Sequence, residues 1–160
     1  MTCGRRLIIL GGLALAGGTS LPALAQEPNA AERFAARLNA HDIDGFTALF
    51  AQSYINNQAS AAAPPRKDLS AKQATVAFFQ ARLTAMPDLR VAIETQVSQG
   101  DKVAASFVYT GTHKGPYFGI APTGKHLRFT SCDIFRVEAG LIAEHWGMGD
   151  IAGVMAQLKG

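Results

Sequence analysis

Apolar positions keep helical spacing through the first half of the chain and strand spacing through most of the second. Asn29 stands where a helix N-cap belongs, with Glu32 three residues on to complete a capping box. Phe34 and Leu38 follow on one face, and Asn39-Ala40-His41-Asp42 closes that helix. A second, short helix is predicted over Ile43 to Phe50, and Tyr54-Ile55-Asn56-Asn57 then leaves it as an extended segment. Ala59 to Asp68, with Pro64-Pro65 and Arg66-Lys67, has loop composition and the length of either a flap over a pocket or an ordinary surface loop. Ser70 and Gln73 form another capping box, and Val76, Phe79, Leu83 and Met86 give a third helix its apolar stripe until Pro87 stops it.

After Asp88 the period falls to two. Strands are predicted over Leu89 to Val97, Lys102 to Thr112, Lys125 to Val137 and Leu141 to Gly147, with Gly100-Asp101 turning between the first two. Asp150 is placed to cap a last helix that turns Ile151, Val154 and Leu158 toward the sheet. Helices set ahead of a mostly antiparallel meander predict an α+β fold.

The N-terminus changes how much of the chain this domain occupies. Arg5-Arg6, the apolar run Leu7 to Ala16, and Pro22 before Ala23-Leu24-Ala25 have the three parts of a cleavable signal peptide over residues 1–25. Residues 26–160 then form one domain, exported to the periplasm or secreted. The apolar run is too short to span a bilayer comfortably, so no membrane anchor is expected. The arginine pair resembles a twin-arginine signal only weakly.

Cleavage also changes the charge. The chain carries 15 basic and 12 acidic residues. Without Arg5 and Arg6 the 13 remaining basic residues nearly balance the acidic ones, and no Lys/Arg run remains. Nucleic acid and anionic membrane are therefore not expected partners. Of the two cysteines, Cys3 departs with the signal, so Cys132 has no intramolecular disulfide partner.

Two polar residues sit where apolar ones are expected. Asp133 lies mid-strand in Phe129-Thr130-Ser131-Cys132-Asp133-Ile134-Phe135, and His145 mid-strand in Ile142-Ala143-Glu144-His145-Trp146. If Glu138-Ala139-Gly140 is a three-residue loop with Gly140 left-handed, Asp133 opposes His145, Phe135 opposes Ala143 and Ser131 opposes Gly147. All would share one face. A two-residue loop would shift the register by one and part the pair. An Asp–His pair in an apolar pocket can shuttle protons, or it can simply satisfy two buried polar groups. Ser131 and Phe135 on that face are candidate substrate contacts. The other face, with Cys132, Ile134, Ile142 and Trp146, is apolar enough to expect a homodimer. His41 reads as a solvated helix end, and His113 and His126 flank a Gly/Pro-rich connection. The four histidines lack metal-ligand spacing, and no phosphate-binding, dinucleotide or nucleophile-elbow motif occurs, so neither metal nor cofactor is expected.

Met86-Pro87-Asp88-Leu89-Arg90, Gly111-Thr112-His113-Lys114-Gly115, Phe118 to Gly124, Cys132 to Val137 and Glu144-His145-Trp146-Gly147 together resemble the SnoaL-like polyketide cyclase, or ester cyclase, group of the NTF2-like superfamily. The resemblance implies a cone in which a curved, mostly antiparallel sheet wraps the N-terminal helices around an internal apolar pocket. It also implies dimers through the outer sheet face, and a polar position at the pocket mouth matched by Asn56, with Asn57 beside it. In the characterised cyclases an aspartate two residues after the histidine equivalent to His145 is the general acid/base of an aldol closure. Here that position is Gly147, and Asp133 is the carboxylate available to replace it. Three functions remain open: an enzyme moving protons on an apolar, carbonyl-bearing substrate, a binding module for a hydrophobic ligand, and an interaction domain with a filled core.

Overall fold

The computed structural model describes residues 27–58 and 67–160; the segment read as a signal peptide and all but the last two residues of the 59–68 loop lie outside the described residues. Within them the order is α1 (Ala30–Asn39), α2 (Ile43–Ala48), β1 (Phe50–Asn56), α3 (Ala71–Ala85), β2 (Arg90–Gln99), β3 (Lys102–Thr112), β4 (His126–Glu138), β5 (Leu141–Gly149) and α4 (Ile151–Lys159). Local chemistry sets the helix starts. Asn29–Glu32 and Ser70–Gln73 both form reciprocal capping boxes, and Asp150 caps α4 through the Gly153 amide.

The second helix is shorter than expected. It ends at Ala48, and Phe50 opens a strand, because the backbone there is claimed by β5: Phe50 pairs with Ile142, and the Leu49 carbonyl accepts from the Ile142 amide. The extended segment after it is therefore a true strand, running parallel to β5 at one edge of the sheet. The order β1-β5-β4-β3-β2 is antiparallel throughout except at that edge. Irregular pairing in β1, β2 and β5 bends the sheet into the curve of an NTF2-like cone.

Alternation decides which face is inside. In β3, Val103, Ala105, Phe107 and Tyr109 are buried while their neighbours are not. Phe34 of α1 fills the hollow of the curve, with its ring 5.1 to 5.4 Å from those of Phe46, Phe79, Phe107 and Phe135. Aromatic rings at such separations add to the burial of the apolar area itself. The helices thus plug one end of the cone, and the other end is left hollow.

The β4–β5 hairpin differs from the expectation. Glu138 pairs with Leu141, so the turn is the two-residue Ala139-Gly140, both with positive φ (48° and 79°). That is the backbone of a tight primed turn. The register then slips again at Ala143, where β5 carries an extra residue between the pairs Val137–Ile142 and Arg136–Glu144. Beyond that bulge Asp133 opposes Gly147, and His145 opposes Phe135. Ile142, expected on the outer face, is instead fully buried, because the bulge reverses the alternation on its turn-proximal side.

Candidate functional site

Asp133 and His145 meet in spite of the altered register. They are diagonal neighbours on the inner face, and a diagonal separation is within reach of two polar side chains. His145 Nε2 donates to Asp133 Oδ1 at 2.7 Å, and the Ser131 hydroxyl donates to Asp133 Oδ2. Both members of the pair are buried, and the imidazole stacks on Phe135 with ring centroids 5.2 Å apart. With Nε2 committed to the carboxylate, His145 Nδ1 has no partner among the described residues. It is the nitrogen left to exchange a proton with a ligand.

The gap that permits this diagonal bond is Gly147. A Cβ there would lie against Asp133 Oδ1 and 2.6 Å from His145 Nε2. The pair therefore fills the volume that any side chain at 147 would need.

The pair lines a cavity of about 590 Å³. Asn56, Thr75, Phe78, Phe79, Arg82, Tyr109 and Ser131 contribute to the same wall. Asn56 Nδ2 donates to Thr75 Oγ1 (3.3 Å), which in turn donates to Tyr54 Oη (3.4 Å). Burial pushes the Tyr54 phenol up to about 12 and raises that of Tyr109, so both stay neutral hydroxyls near pH 7. Opposing influences act on Arg82. Burial works to lower its pKa, but the Tyr117 and Tyr109 hydroxyls and the Asp133 carboxylate prevail, and it remains a cation.

Of the residues read as candidates, Asn56, Ser131, Asp133 and His145 stand together at the cavity. Phe135 supports the His145 ring and is fully buried, but it is not part of the cavity wall. Asn57 is not at the site. Alternation turns it outward, where its Nδ2 donates to Glu144 on the other side of the sheet. Glu144 is itself bound by Arg136 at 2.6 Å, a contact that holds its carboxyl below the usual range.

The fold has known counterparts. A family model, SnoaL-like polyketide cyclase, matches residues 29–158. The chain belongs to the SnoaL-like polyketide cyclase family. Among solved structures, IdmH from Streptomyces antibioticus, a candidate polyketide cyclase, is 26% identical with a TM-score of 0.69, covering 82% of this chain and 96% of its own. TsrD from Streptomyces laurentii is 26% identical with a TM-score of 0.68, covering 81% and 91%. AclR from Streptomyces galilaeus, a candidate hydroxylase, shares the fold at 22% identity and a TM-score of 0.69, covering 81% and 78%. A comparison with curated proteins finds no match.

At position 147, where the resemblance implies an aspartate, this chain has a glycine. Its own carboxylate reaches the same space from β4, directly across the ladder. Sequence reasoning missed Arg82, Thr75 and Tyr109. The signal for Arg82 was present: it lies three residues after Phe79 and one before Leu83, inside the apolar stripe of α3, where a charged residue requires a reason.

Proposed function

We propose that this SnoaL-like protein is an exported, cofactor-independent enzyme that moves a proton on an apolar, carbonyl-bearing small molecule. The buried Asp133–His145 pair at the wall of the cavity carries this reading. Asp133 orients the imidazole through Nε2, and His145 Nδ1 takes and returns the substrate proton. Ser131 fixes the second carboxylate oxygen, and Asn56 offers a polar contact at the mouth. The reaction classes that fit are cyclisation, isomerisation and dehydration, each beginning with proton abstraction next to a carbonyl, and hydrolysis, in which the same base takes a proton from the attacking water.

The test needs no natural substrate. Hydrogen–deuterium exchange at the methyl group of 2-acetonaphthone in D₂O, followed by NMR, reads proton abstraction directly. The protein should accelerate exchange, and Asp133→Asn or His145→Gln should each remove about a hundredfold or more of that acceleration. Binding of the ketone without any exchange would sink the enzyme reading in favour of a binding module. The glycine at 147, where the resemblance implies an aspartate, favours that second reading. A cavity of this size speaks against a domain that serves only as an interaction surface.

Export and dimerisation belong to the same proposal. Export rests on the residue 1–25 pattern, and exported protein should begin at Gln26 on N-terminal sequencing; an intact Met1 or cytoplasmic retention would refute it. A homodimer through the outer sheet face, Trp146 included, rests on the apolar side chains exposed there.

A further inference from the structure

Arg82 is a buried cation, 5% exposed, with no ion-pair partner among the described residues. Its one side-chain hydrogen bond among those residues is from Nε to Tyr117 Oη at 2.9 Å. The guanidinium carbon lies 4.6 Å from the ring centre of Tyr109, 4.8 Å from Phe78, 4.9 Å from Phe79 and 5.1 Å from Phe129. An arginine cannot shed its charge, and burying it costs free energy that ring faces offset only in part. Four of its five N–H donors, on the two terminal nitrogens, have no acceptor among the described residues, in a side chain that lines the cavity.

The surroundings hold that fork in place. Tyr117 comes from the connection between β3 and β4, which is tied to the end of α3 by the Lys114 and Gly115 amides, both donating to the Ala85 carbonyl. Gly115 permits the approach, since a Cβ there would sit 2.6 Å from the Thr84 carbonyl oxygen. The Gly-rich segment after β3 thus delivers a hydroxyl to Arg82, and Phe78, Phe79 and Tyr109 present aromatic surface to the same cavity.

We propose that the cavity is an acid-binding site: it takes a small, planar, apolar carboxylate, whose anionic oxygens complete Arg82, while Tyr117 positions the guanidinium. This deepens the proposed function and rests on the reading of that cavity as the ligand site. A carboxylate is the matching acceptor because its two oxygens can meet two guanidinium N–H groups at once. An aromatic body suits the ring-lined wall.

Calorimetric titration of the full domain with 2-naphthoate and its neutral isostere 2-naphthamide tests this. The naphthoate should bind about tenfold or more tightly than the amide. Arg82→Gln should abolish that preference while leaving amide affinity within about threefold. Tyr117→Phe should weaken the naphthoate severalfold without changing the amide. If Arg82→Gln does not fold, the Arg82 Nε–Hε resonance of the unmodified protein reads the same contact: it should shift with naphthoate and stay still with naphthamide. Equal affinities, a preference that survives in folded Arg82→Gln, or no binding of either ligand at millimolar concentration overturns the proposal. Equal affinities would leave Arg82 as no more than a balancing charge for Asp133. Tight naphthoate binding with no proton exchange in 2-acetonaphthone would instead count against the enzyme reading alone.

Discussion

At position 147 the absence of a single carbon shapes the chemistry of the site. Asp133 stands across the ladder from Gly147, and its carboxylate leans into the space above that glycine to reach His145. Gly147→Ala should therefore part the pair or push β4 and β5 apart, costing about 1–3 kcal/mol as overpacking, read from chemical denaturation. Gly147→Asp alone should fare worse, since it sets two carboxylates in one buried volume. The double replacement Asp133→Gly with Gly147→Asp returns one carboxylate beside His145 and should recover both stability and proton exchange relative to Gly147→Asp. If Gly147→Ala is as stable as the parent, the close approach has been overstated and the pair does not depend on the glycine.

At the scale of elements, α1 is held by the hollow side of the sheet rather than by its own ten residues, too few for an isolated helix in water. Phe34 is its anchor, touching rings from α2, α3, β3 and β4. Phe34→Ala should cost about 3–5 kcal/mol in urea unfolding, and a loss under about 1 kcal/mol would show that the plug can collapse around the void. Caps and strand periods were legible in the sequence because they are local: Asn29, Ser70 and Asp150 each bind amides within three residues. The start of β1 was not, because only pairing with β5, some ninety residues away, makes a strand of Phe50. The hairpin is the instructive case. A two-residue turn by itself would have placed Asp133 opposite Trp146 and turned His145 outward. The bulge at Ala143 adds one further step, so His145 returns to the inner face. Periodicity sees the parity of a strand but not a bulge, and the pairing of Asp133 with His145 was reached through a register that the structure does not have. Arg82 escaped for another reason: its partner Tyr117 is 35 residues distant, and long cations on helices usually reach solvent.

For the whole molecule, the two faces of the sheet divide the work. The inner face closes over the cavity, while the outer face leaves apolar groups in water. Ile134 is paired with Trp146 and Cys132 with Met148, so these four side chains form one patch on the outside of β4 and β5. Met148 is 78% exposed and Ile134 is 39% exposed. The arrangement suits self-association about a two-fold axis, in which each copy covers the same patch on the other. The mature protein should then sediment as a dimer at micromolar concentration. Ile134→Glu, which places a charge at the middle of the patch, should weaken association by about a hundredfold. Because Ile134 points away from the cavity, naphthoate affinity per chain should be unchanged in that variant. A parent protein that stays monomeric at about 100 µM rules the dimer out, and a loss of ligand affinity on dissociation would mean that the partner's contact holds β5, and His145 with it, in place.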